Sequence, residues 1–279
     1  MKRISFQGVR GAYSEAASAL FFDNQIDTIS CSTFAEALQN TENGTSDYSV
    51  LPVENSLAGS VVESNDLLLS TKLNVVGEIY HRIHHCLIGT GSLGDIDTVY
   101  SHPQALDQCR KFIQENSLKT IPSYDTAGSV KIIKDLNKNS IASIASKNAA
   151  EIFDTPIIQE GIEDNTNNYT RFLILSKESA KAETQLMHDV WDNTKTSIIF
   201  SVQHKAGTLF QIINEFYQNK INLTKIESRP NKNTAWEYNF YVDFEGHQDD
   251  SSIKDMLNKL RNHSTFLKIL GSYPIAKLD

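Results

Sequence analysis

The strongest constraint on this fold is a change of rhythm along the chain. Up to about residue 176, short apolar runs alternate with stretches of helical periodicity. RISFQG, TISC, YSVLPV, DTVYS, SIASIA and YTRFLIL read as strands. SEAASALFF, TFAEALQNT, PQALDQCRKFIQEN, TAGSVKIIKDLN and SKNAAEIF read as helices. Such alternation predicts an α/β fold with parallel sheets covered by helices. Residues 178–194 are mostly polar and break the rhythm, which predicts a linker. Six elements follow, in the order strand, helix, strand, strand, helix, strand, from KTSIIFSVQ to FLKILGS. That order is the ferredoxin-like topology. The expected segments are therefore 1–177, 178–194 and 195–279.

In a parallel α/β sheet, ligands gather beyond the C-terminal ends of the strands. Several polar stretches fall there: GVRGAYS after ISFQ, Glu54-Asn55-Ser56 after SVLPV, SHPQ after DTVY, and Asp125-Thr126 before a helix. Each alone reads as a helix cap, the usual role of such residues. Together they point to one shared cleft. In NNYTRFLIL, strand alternation puts Thr170 and Phe172 on one face and Arg171 on the other. A strained strand end would let both Thr170 and Arg171 reach a ligand.

The formal charge is −8, with scattered Lys and Arg, so no nucleic-acid footprint is visible. An anion would have to be met by a local arginine or by helix N-termini. No apolar run approaches the ~20 residues of a bilayer span. The opening MKRISFQGVRGAYSE reaches Gly, Arg and Glu too early for an apolar signal core. A cytoplasmic protein without membrane contact is expected. Cys31, Cys86 and Cys109 are odd in number and far apart, as free thiols would be. HRIHHCLIG reads as a strand, with His81 and His85 on one face and His84 on the other. Its spacing matches no common zinc site. Nucleotide-binding glycine patterns and nucleophile elbows are missing too. Neither metal nor other cofactor is expected. Hydroxyls, amides and an arginine suit orientation and charge stabilisation.

GVRGAYSEAA, LPVENSLAGSV, SHPQALDQC, YDTAGS and NYTRF, in this order and spacing, resemble the prephenate dehydratase family. AGTLFQII, INLTKIESRP and WEYNFYVDFEGH resemble an ACT domain of the phenylalanine-sensing kind. No chorismate mutase helices precede the dehydratase motifs, so a monofunctional chain is expected. The resemblance implies two α/β lobes, like those of periplasmic binding proteins, with the active site between them. It implies conversion of prephenate to phenylpyruvate in phenylalanine biosynthesis, with feedback inhibition by L-phenylalanine. Arogenate dehydratase is the nearest alternative, and a non-catalytic small-molecule sensor is one of another class.

Carried over by resemblance, the catalytic set is Asn55, Ser101, Gln108, Thr170, Arg171 and Phe172, with Thr170 the principal hydroxyl. Arg171 would pair bidentately with a substrate carboxylate. Ser14, Glu54 and Thr126 are further substrate-contact candidates. Effector contacts fall on Gly207, Leu209, Asn222, Leu223, Glu227 and Ser228. Thr208 departs from the family pattern and adds a hydroxyl near an apolar effector pocket. Side-by-side pairing of ACT sheets implies a homodimer or homotetramer.

Overall fold

The computed structural model describes residues 1–179, 193–231 and 237–278. In chain order the elements are β1 (Lys2–Gln7), α1 (Tyr13–Phe21), β2 (Ile26–Cys31), α2 (Phe34–Asn43), β3 (Tyr48–Asn55), β4 (Gly59–Ser60), α3 (Val62–Ser70), β5 (Asn74–Arg82), β6 (Cys86–Ile88), β7 (Thr98–Ser101), α4 (Pro103–Gln108), α5 (Arg110–Glu115), β8 (Lys119–Pro122), α6 (Thr126–Leu136), β9 (Ile141–Ala145), α7 (Lys147–Ile152), β10 (Ile157–Glu160) and β11 (Tyr169–Ser176). They continue with β12 (Thr194–Ser201), α8 (Thr208–Gln218), β13 (Leu223–Pro230), β14 (Tyr238–Glu245), α9 (Ser251–His263) and β15 (Phe266–Pro274). Two compact units result, and neither is continuous in sequence. One combines Met1–Val61 with Tyr80–Phe172, the other Val62–Ile79 with Leu173–Asp279. The expected linker lies mostly outside the described residues, and Thr194 already opens β12.

The first unit holds two lobes. In one, the sheet order is β2-β1-β3-β11-β5, with β1 parallel to both β2 and β3. In the other it is β10-β6-β9-β7-β8. There β7 runs parallel to β8 and β9, while β6 is antiparallel to β9 and β10. The expected all-parallel character is thus only partly realised. The cause lies in HRIHHC, which is not one strand. The buried Glu163 accepts the His85 backbone N–H at 3.0 Å and faces His84 Nδ1 at 2.7 Å. Held this way, the chain leaves β5 at Arg82 and enters the second sheet as β6, in the reverse sense.

Every position of β9 is buried. Ala142 and Ile144 pack with Leu87, Val99 and Phe112, whereas Ala145 packs with Ala127, Val130 and Ala149. A strand covered on both faces reads as the continuous apolar run seen in SIASIA. The single helix expected from PQALDQCRKFIQEN breaks at Cys109, whose φ and ψ are −116° and 25°. Asp164 explains the break. Its N–H donates to the Gln108 carbonyl at 2.8 Å and its carboxylate accepts the Lys111 N–H at 3.0 Å. Gly11 has φ +89°, and a Cβ there would lie 2.8 Å from Ala149 Cα. Only glycine lets this loop rest on the start of α7, where Ser146 Oγ donates to the Gly11 carbonyl at 2.9 Å.

In the second unit the sheet order β13-β14-β12-β15 completes the ferredoxin-like pattern. Ile198, Phe200, Val242 and Phe244 pack with Ile212 and Phe216 of α8 and with Ile253, Met256 and Leu260 of α9. The alternate residues of the sheet engage Val62–Ile79. Lys195 Nζ meets a Glu78 carboxylate oxygen at 2.8 Å, with side chains 5% and 0% exposed. Tyr241 donates to the Asn65 carbonyl at 2.9 Å, and Lys268 Nζ to the Leu68 carbonyl at 2.9 Å. Both faces of β12 are therefore buried. No helix among the described residues is long and apolar enough to cross a membrane.

Candidate active site

Asn55 ends β3 at the mouth of the cleft between the two lobes. Its Oδ1 accepts the backbone N–H groups of Leu57 at 3.1 Å and Ala58 at 2.9 Å. Those two donors fix the amide, so Nδ2 points at the start of β11. It lies 2.8 Å from Asn168 Oδ1, 3.1 Å from the Tyr169 carbonyl and 3.0 Å from Thr170 Oγ1. Thr170 therefore accepts from Asn55, and its own hydrogen remains to be donated.

Thr170 and Asn55 line a cavity of about 240 Å³. The first lobe adds Pro52, Phe172 and the start of α1, namely Ala12, Tyr13 and Ser14. The second adds His102, Gln104 and Gln108 around α4, and Asp125, Thr126 and Ala127 at the start of α6. No lysine or arginine lines it. The helix α1 starts without a side-chain cap, and α6 is capped by Asp125, whose Oδ1 accepts the Gly128 N–H at 2.5 Å. Positive polarity therefore comes from the backbone amides at the uncapped start of α1, whereas the Asp125 carboxylate offsets that of α6. His85 also lines the cavity and is 1% exposed. Its Nε2 lies 2.9 Å from the Gln108 side-chain amide and its Nδ1 3.0 Å from the Tyr13 hydroxyl. Burial lowers the His85 pKa and raises that of Tyr13 well above the usual phenol range.

Of the residues expected from sequence, Asn55, Gln108, Thr170, Phe172, Ser14 and Thr126 meet at this cavity. Ser101 does not. It is fully buried and donates to the Ile144 carbonyl at 2.6 Å, tying β7 to β9. Arg171, 5% exposed, is absent from the lining, as alternation along β11 requires. Glu54 is also off the lining, paired with Ser60 across β3 and β4. Tyr13 and His85 were missed. Tyr13 lay unassigned within GVRGAYS, and the bond from His85 to Gln108 spans 23 positions with no local pattern to announce it. No cluster of three or more potential metal-binding side chains occurs among the described residues.

In the second unit, a hollow of about 260 Å³ is lined by Gly207, Leu209, Phe210, Tyr238, Phe240 and neighbouring residues. Of the effector candidates, Gly207 and Leu209 lie in it. Asn222, Leu223, Glu227 and Ser228 lie outside it, the last three on β13 at the edge of the sheet. The Thr208 hydroxyl donates to the Gln203 carbonyl at 2.8 Å, within its own loop. Thr208 lines the hollow, as the sequence suggested, with its hydroxyl turned to its own loop.

Two α/β lobes around a shared cavity, followed along the chain by a ferredoxin-like domain, define the class of protein to which this chain is compared. The chain belongs to the prephenate dehydratase family. That family's profile matches residues 4–180, and the ACT domain profile matches 196–262. It is accordingly a carbon–oxygen lyase. It is 39% identical over 289 residues to arogenate dehydratase/prephenate dehydratase 1 of Arabidopsis thaliana, covering 98% of this chain and 72% of that one. Among solved structures, prephenate dehydratase from Arthrobacter aurescens in complex with L-Phe aligns with a TM-score of 0.88 and 27% identity, covering 98% of this chain and 90% of that one. GqqA, described as a novel type of quorum quenching acylase, aligns with a TM-score of 0.88 and 31% identity over 98% of both chains.

Proposed function

We propose that the chain converts prephenate to phenylpyruvate, releasing carbon dioxide and water, and that L-phenylalanine restrains this turnover. The supporting observation is the Asn55–Thr170 hydrogen bond, 3.0 Å long, at a cavity lined by helix starts in a chain of this family. In the reaction, the bond from the ring to its carboxylate breaks and carbon dioxide leaves. The freed electron pair enters the ring as the carbon–oxygen bond breaks, and the oxygen takes up a proton supplied by solvent and departs as water. Threonine is too weak an acid to be ionised here. With its oxygen held by Asn55, Thr170 gives its hydrogen bond to the leaving oxygen. Positioned proton donation of this kind contributes roughly 10²–10⁴ in rate. A carboxylate of the substrate faces the uncapped amide end of α1. A water-poor site favours loss of the ring carboxylate.

L-Phenylalanine is assigned to the hollow at Gly207 and Leu209. The Arthrobacter relative solved with L-Phe supports L-phenylalanine as the ligand, and the hollow is the site proposed for it. Pairing of two β13 edges would bring Asn222, Glu227 and Ser228 of one copy towards the hollow of another, in a homodimer or homotetramer. Arogenate is the second reading, favoured by the Arabidopsis relatives whose names include arogenate dehydratase. The pure protein should be incubated separately with prephenate and arogenate. Phenylpyruvate is read by its absorbance in alkali and phenylalanine by chromatography. Faster phenylpyruvate formation is expected. Faster phenylalanine formation would make arogenate the substrate, and turnover of neither would leave the sensor reading.

A further inference from the structure

His85 sits where the polar wall of the cavity meets its core, and donor–acceptor logic fixes its state. The His84 carbonyl can only accept, so the Tyr13 hydroxyl, 2.6 Å away, donates its one hydrogen there. The Tyr13 oxygen then accepts from His85 Nδ1, which lies 3.0 Å from it. His85 is 1% exposed, and its burial favours the neutral ring even though Glu163 and Gln108 pull the other way. A neutral imidazole carries one hydrogen. With that hydrogen on Nδ1, Nε2 is an acceptor; the Gln108 atom placed 2.9 Å from it is Oε1, so the amide must be turned end for end to bring its NH₂ there. Which end of an amide faces a partner is assigned from such a network. Turned so, the Gln108 carbonyl oxygen points away from His85, on a side chain that lines the cavity.

We propose that His85 is a positioning residue, held by Tyr13, that makes Gln108 present its carbonyl oxygen to the bound substrate. This rests on the dehydratase reading above. The group suited to that oxygen is the ring hydroxyl of the substrate. Its hydrogen would be accepted by Gln108 while its oxygen accepts from Thr170. The two contacts together would aim the leaving oxygen, and neither Tyr13 nor His85 would touch the substrate.

Two measurements test the proposal. In the first, nitrogen-15 NMR of the imidazole ring in the full chain at neutral pH reads the tautomer directly, with His85→Phe providing the assignment. The expected result is a neutral ring with hydrogen on Nδ1. An Nε2–H tautomer or an imidazolium would overturn the proposal. The second is a double-mutant cycle on kcat and KM with His85→Phe, Gln108→Ala and both together. His85→Phe alone should lower kcat roughly five- to tenfold, about the worth of one neutral hydrogen bond, and change KM less. On the Gln108→Ala background the same replacement should add little. Additive losses would overturn the proposal. If the variants fail to fold, the tautomer of the native chain, assigned by selective histidine labelling, still decides. Wild-type inactivity towards both prephenate and arogenate would sink the functional reading instead, which the tautomer measurement does not depend on.

Discussion

Asn55 Nδ2 donates to Thr170 Oγ1 at 3.0 Å, joining residues 115 apart in sequence. With the hydroxyl oriented towards the reaction rather than used for affinity, Thr170→Ala should lower kcat by about 10²–10⁴ with KM little changed. Thr170→Ser should restore much of the rate. Steady-state kinetics decides, and a near-normal kcat in Thr170→Ala would remove the hydroxyl from its role.

The buried pair of Glu78 and Lys195 makes a second prediction. Replacing Glu78 by Ala removes the carboxylate that meets a lysine whose side chain is 5% exposed. Removing one partner of a buried ion pair costs roughly 3–5 kcal/mol. Chemical denaturation should report a loss of that order. A change below about 1 kcal/mol, the scale of exposed pairs, would show that water reaches Lys195.

Truncation after Lys177 should not yield a well-folded catalytic fragment. It removes Lys195, Tyr241 and Lys268, which bind Glu78, Asn65 and Leu68. The fragment should melt well below the full chain and bind apolar dyes. A cooperative transition at the full-length temperature would contradict this.

Stability should also depend on pH. Burial lowers the pKa of His81, His85 and His102, against the pull of Asp125 in the case of His102. In the unfolded chain these rings take up protons near pH 6.5. In the folded chain they stay neutral to lower pH, so the unfolded state binds more protons there. Stability should then rise with pH up to about 6.5 and level off above it. Melting temperatures from about pH 5.5 to 8.5 should show this shape, and a profile that stays flat between about pH 5.5 and 6.5 would exclude it.

Effector binding should depend on backbone conformation at Gly207 more than on space. A Cβ there would meet nothing within 4 Å, but φ is +86°. Left-handed geometry costs a branched residue about 1–2 kcal/mol, and asparagine tolerates it better. Calorimetry should find L-phenylalanine bound more weakly by Gly207→Val than by Gly207→Asn. Equal affinities would show that the start of α8 does not set the hollow.

The sequence made the strand faces legible because alternation is local. Thr170 and Phe172 reach the cavity and Arg171 does not, as the simple period of two requires. Arg171, for which a strained strand end was allowed, lies within β11 and off the lining. Helix N-termini were named as the alternative to arginine for meeting an anion, and it is they that line the cavity. Other features had no local signature. Glu163 redirects HRIHHC from 78 residues away, and Asp164 splits a helix from 53 residues away. Ser101 looked functional because a hydroxyl after a strand suits a ligand as well as a neighbouring carbonyl.

The second unit is assembled from pieces made at different times. Residues 62–79 are synthesised early, whereas β12, which carries the partner of Glu78, begins at Thr194. The 115 residues from Ile79 to Thr194 take roughly 6–23 s to translate at about 5–20 residues per second. During that interval Leu68, Leu73 and Val75, each at most 3% exposed in the finished protein, lack the later segment of their unit. The nascent chain thus carries an unfinished apolar segment while the rest is made. The last third of the protein is the folding partner of a segment made long before it.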